Sequence, residues 1–140
     1  LHATRAEALT RNASVRLRLT DTQGRPGWQM GCVLSSARCP QTVRQQAVDF
    51  GTSVRWGAAK LGTMPALSTA IVAGQEFPAS VRFDASGAAP DIVSGDGIAR
   101  IDITYDQVPA TRRMVVLVSA QGLARICDPV VSVGHPQYCY

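Results

Sequence analysis

Leu1-His2-Ala3-Thr4-Arg5-Ala6-Glu7-Ala8-Leu9-Thr10-Arg11-Asn12-Ala13-Ser14-Val15-Arg16-Leu17-Arg18-Leu19-Thr20 holds two periods in succession. Up to Asn12 the residues are helix formers, with Ala3, Ala6 and Ala8 set among Arg5, Glu7 and Arg11. Leu1 and Leu9 are expected near one face. After Asn12 the period becomes two. Val15, Leu17 and Leu19 alternate with Ser14, Arg16, Arg18 and Thr20, the pattern of a half-buried strand. An uncapped helix of a dozen residues is marginal alone in water. It therefore reads as the end of a longer helix packed on a β-rich body.

Further strands follow. Trp28, Met30 and Cys32 alternate with Gln29, Gly31 and Val33, after a turn expected at Gln23-Gly24-Arg25-Pro26-Gly27. Later strands are expected at Val48–Trp56, Ser80–Asp84, Ile98–Tyr105, Arg113–Ser119 and Leu123–Cys127. Asp84-Ala85-Ser86-Gly87 reads as a turn. The facing of Ile98–Tyr105 is left open, because Arg100 and Asp102 interrupt its apolar residues. The reading is α+β: one helix on an antiparallel sheet or sandwich of about seven strands. The 140 residues form one domain, with 1–13 as the helix end and 14–140 as the head.

Hydrophobic residues make up 46% and charged residues 17%, which excludes global disorder. The longest aliphatic run, Met114–Val118, is far short of the ~20 residues of a membrane-spanning helix. The chain as written is expected to be soluble. Formal net charge is +4, and every basic residue but Lys60 is Arg. Arg suits carboxylate and phosphate partners. These arginines are scattered, so they make no evident nucleic-acid tail.

Cys32, Cys39, Cys127 and Cys139 suggest disulfides and an oxidising compartment. Three pairings are possible, and the spacing favours Cys32–Cys39 with Cys127–Cys139. The rival is a metal site of Cys127, His135 and Cys139, whose spacing lacks a zinc knuckle. Asp91 and Asp96 flank a Gly-rich stretch that fits no EF-hand. Asn12-Ala13-Ser14 matches a glycosylation sequon. Trp28 and Trp56 read as core or strand-edge aromatics rather than a stacking platform. Only His2 and His135 are near-neutral bases, and nucleophile-elbow, phosphate-loop and dinucleotide motifs are missing from the sequence. Neither catalysis nor a cofactor, metal or small-molecule substrate is expected.

The segment Thr4–Leu17 resembles the "ARSEAIKRNxxVxL" junction of the FimT/FimU/GspH family of minor pilins and pseudopilins. Gly27-Trp28-Gln29-Met30 is similar to the strand that follows in that family. Val81-Arg82-Phe83-Asp84-Ala85-Ser86-Gly87 resembles its "i.F.p.G" strand and turn, and Arg113–Cys127 its last hairpin. The resemblance implies a type IV pilus minor pilin that primes assembly at or near the fibre tip. It also implies an upstream apolar helix, missing here, that anchors the subunit in the inner membrane. Its partners would be other minor pilins and the major pilin, in the periplasm and at the cell surface. A secretion-system pseudopilin is the alternative. Some relatives bind DNA through a Gly-Arg-x-Arg hairpin. Here Gly122-Leu123-Ala124-Arg125 keeps Gly122 and Arg125 but not the first Arg, with Arg112 and Arg113 on the preceding strand as candidate helpers.

Overall fold

A computed structural model describes residues 1–22, 25–46, 53–77, 79–105 and 112–140. Helix α1 spans His2–Arg11 and ends on Asn12, which adopts φ 48° and sends its N–H back to Ala8 and Leu9. Asn tolerates this left-handed backbone better than most residues. Strand β1, Val15–Thr22, starts three residues later. The switch of period at Asn12 is therefore a helix stop followed directly by a strand.

Among the described residues there are eight strands rather than about seven. They are β1, then β2 (Arg25–Cys32), β3 (Arg44–Gln46), β4 (Val54–Lys60), β5 (Ala79–Phe83), β6 (Ile98–Tyr105), β7 (Met114–Val118) and β8 (Ala124–Cys127). They form two antiparallel sheets, ordered β3-β2-β1-β5 and β4-β6-β7-β8. Of the turn expected at 23–27, Arg25–Gly27 belong to β2, and Gln23 and Gly24 lie outside the described residues. Of the strand expected at Val48–Trp56, Val54–Trp56 open β4, which runs on to Lys60, and Ser53 precedes it in a turn. Residues 48–52 of that expectation lie outside the described residues. Strand β3 was not anticipated, being a three-residue edge with no room to show a period. Helix α2, Pro90–Ser94, was also not anticipated. Pro90 opens it and Gly95 closes it with φ 81°.

The core lies between the sheets. Val15, Leu17, Leu19, Met30, Val81 and Phe83 of the first sheet meet Ala58, Ile98, Ile101, Val116 and Val118 of the second. Helix α1 adds Ala8, which is fully buried. Thr4 is buried beside it, whereas Leu9 is 46% exposed. Leu1 packs against the core as expected, but Leu9 does not share its face: small side chains let the helix approach the sheets closely, and Leu9 falls to the side. Trp28 and Trp56 pack partly buried against the core.

The outer face of the second sheet is covered as well. Gly57 on β4 lies under the 61–77 connection, where a Cβ would collide with Val72 carbonyl and Ile71. That crossing buries Arg100 and Asp102, although both point away from the core. The alternation of β6 is thus real, and the covering loop hides it. A second cluster of Val115, Cys127 and Cys139, with Leu67 and Leu117 against it, lies on this side.

Candidate interaction surfaces

The sequence pointed to three regions: the helix seat, the cysteines and the arginines of the last hairpin. The helix seat is closed on one side by backbone groups. Arg5 Nε donates to Gly87 carbonyl at 3.0 Å. Ala89 N–H donates to Ala120 carbonyl at 2.8 Å, tying the 84–88 turn to the β7–β8 hairpin. Gly122 sits in that hairpin with φ 77°, and a Cβ there would collide with Gly87 carbonyl. A side chain is excluded on both counts. Asp84 holds the turn by accepting from Ser86 Oγ at 2.6 Å, Ser86 N–H at 2.8 Å and Ala88 N–H at 3.1 Å. These bonds, the hydroxyl's first, hold its carboxyl below the usual range. At the N-terminal end of α1 an apolar cavity of about 370 Å³ lies between the sheets. Leu1, Thr4, Leu17, Trp28, Trp56 and Ile103 line it, with Arg44 at its margin.

Both favoured disulfides are present, Cys32–Cys39 and Cys127–Cys139. The second removes two thiolates from the rival metal reading. His135 Nδ1 instead accepts the Gln137 N–H at 3.1 Å. Asp91 is likewise engaged, pairing with Arg82 at 2.7 Å, while Asp96 accepts from Ser94 Oγ at 2.9 Å. Asn12 of the sequon is the cap of α1.

The hairpin arginines diverge. Arg113 is only 13% exposed and donates to Asp102 at 2.6 Å, Leu67 carbonyl at 2.6 Å and Thr69 carbonyl at 3.1 Å. Arg125 donates to Tyr138 carbonyl at 2.6 Å and lies 3.5 Å over the Tyr140 ring, a cation–π contact. Arg112 is 59% exposed and pairs with the buried Asp128. Val130 N–H and then Arg112 hold the Asp128 carboxyl below the usual range. Arg112 and Arg125 clasp the C-terminal tail, whereas Arg113 points into a buried network. Each candidate DNA contact thus has an intramolecular partner.

That network escaped sequence reasoning. Arg100 is fully buried and forks onto Asp102 at 2.7 and 2.9 Å. Its remaining N–H groups reach the carbonyls of Pro65 at 2.9 Å, Ala66 at 3.1 Å and Thr69 at 2.8 Å. Ile71 N–H donates to Asp102 at 3.0 Å. Two arginines on one aspartate thereby pin the 65–71 segment to the outer face of the second sheet. The available signal was the Arg100–Asp102 spacing, which sets two opposite charges on one side of a strand.

A family model described as type II transport protein GspH matches residues 1–122. The crystal structure of the type IV minor pilin FimU of Pseudomonas aeruginosa superposes with a TM-score of 0.55. The match covers 99% of this chain and 86% of that one at 16% identity, a likeness of fold. No curated protein matches.

Proposed function

The chain belongs to the GspH family, and from that premise we propose that it is a non-catalytic minor pilin priming type IV pilus assembly at or near the tip. The observation that carries this reading is the seating of α1. The helix is held by buried Thr4 and Ala8 and by Arg5 on Gly87 carbonyl. A head fixed this way moves as one body with its helix, which a subunit must do if the helix joins a filament. The fold shared with FimU supports the same reading. In the full-length protein, an apolar segment upstream of Leu1 would anchor the subunit in the inner membrane, with its head in the periplasm. Its partners would be other minor pilins and the major pilin.

Deleting the gene tests this. Surface pili counted by electron microscopy should fall sharply and return on complementation. Gold-labelled antibody against the head should mark fibre ends. Unchanged pilus number with unlabelled ends would contradict the proposal. The description of the matched family model favours one second reading, a pseudopilin of a type II transport system. In that case deletion would stop export of a secreted protein and leave pili intact.

A further inference from the structure

We infer that the outer face of the first sheet is an interaction surface built around Arg16 and Arg18 for an acidic side chain of a neighbouring protein subunit. The inference rests on the assembly role proposed above and names the partner chemistry. Val15, Leu17 and Leu19 face the core, so Arg16 and Arg18 project to the other side of β1. Arg16 lies opposite Arg82 on β5 and Gly31 on β2. Like charges directly opposite repel. Asp91 neutralises Arg82 at 2.7 Å. Among the described residues no carboxylate pairs with Arg16 or Arg18. Arg16 Nε is moreover buried without a hydrogen-bond partner. A charged donor left without an acceptor is costly, and an acceptor brought by another molecule removes the cost.

The place is concave. Gly31 lets the Gln41 backbone cross the outer face, since a Cβ there would collide with Gln41 carbonyl. The Cys32–Cys39 bridge closes the loop that makes this crossing. Arg16, Arg18, Gln29, Gly31 and Gln41 line the resulting pocket of about 90 Å³. Gln29 donates to Thr42 Oγ1 at 2.6 Å, which fixes the wall. The space suits one side-chain carboxylate. A nucleic-acid backbone needs a row of cations, and here two unpaired ones converge on a single small pocket. A second copy docking through the same face would set arginine against arginine, and each chain carries +4. The occupant is therefore an Asp or Glu of a different subunit.

The test uses the full-length protein in its own host, with a photo-crosslinking benzoylphenylalanine at Gln41, on the pocket rim. The expected crosslink joins a peptide of another pilin-type subunit at or beside an Asp or Glu. Arg16→Gln with Arg18→Gln should weaken it about tenfold or more, with a melting temperature no lower than that of the parent protein. Arg16→Glu with Arg18→Glu should abolish it, and a Glu→Arg change in the partner should restore it. A crosslink indifferent to these charges overturns the surface and leaves the pilin reading standing. A charge-dependent crosslink to an acidic protein that is no pilin keeps the surface and removes the pilin reading. If instead the Gln variants lose binding to a thymidine 12-mer and keep the crosslink, the face is a nucleic-acid surface and the inference fails.

Discussion

The outer faces of the two sheets carry the same residue type under opposite conditions. On the second sheet, Arg100 and Arg113 share Asp102, and four carbonyls of the 65–69 segment accept their remaining N–H groups. On the first sheet, Arg16 and Arg18 meet no carboxylate among the described residues, and one buried N–H of Arg16 has no acceptor. An arginine is structural when the chain itself supplies its acceptors. Where the chain withholds them, the same side chain is free for another molecule. The location of basic residues in a sequence thus says less than the location of their acceptors.

The largest effect should come from breaking the paired face. Asp102→Ala leaves Arg100 buried without its counter-charge and should cost about 3–5 kcal/mol in urea unfolding. Arg16→Gln with Arg18→Gln should cost no stability, since it removes a buried donor that has no acceptor. Equal losses would erase the contrast. The disulfides come next. Cys127→Ser with Cys139→Ser should cost about 2–4 kcal/mol and expose the outer cluster of the second sheet to amide hydrogen exchange. Protection on the first sheet should change little.

Acid sharpens the comparison through charge alone. Val130 N–H and Arg112 hold Asp128 below its ordinary value of 3.8. A carboxyl depressed on folding adds stability that is complete above that value and disappears as pH falls through the lower, folded one. Unfolding midpoints should therefore drop below about pH 4, and Arg112→Gln should flatten that drop. Asp84 contributes with the same sign. Among the arginines that have a partner within the chain, the smallest loss belongs to Arg125. Losing its stacking on Tyr140 should cost about 0.5–1 kcal/mol, seen as a small fall in melting temperature. In a gel shift with a single-stranded oligonucleotide, Arg125→Gln should behave as the parent protein does.

The sequence foretold the elements better than their partners. The change of period at Asn12 gave α1 and β1, and Ile98–Tyr105 is β6 end to end. Strands β5, β7 and β8 fall within a residue of expectation. Local disulfide loops were readable because their cysteines bracket turn formers. Helix α2 was missed although Pro90 and Gly95 bracket it, because Asp and Gly also read as a loop. The layers were out of reach, since a period of two assigns a face and not a sheet. The same limit hid both arginine sites. That Arg113 meets Asp102 depends on β6–β7 register and on a loop folding back over Gly57. The Arg16 pocket depends on the Gln41 crossing over Gly31. Both are contacts between segments distant along the chain.

The most direct test of a filament subunit is the filament itself. Fibres sheared from the native host, purified and digested for mass spectrometry should contain peptides of this chain at a low ratio to the major subunit. Fibres of normal yield that lack those peptides, with the protein confined to the cell fraction, would contradict the account.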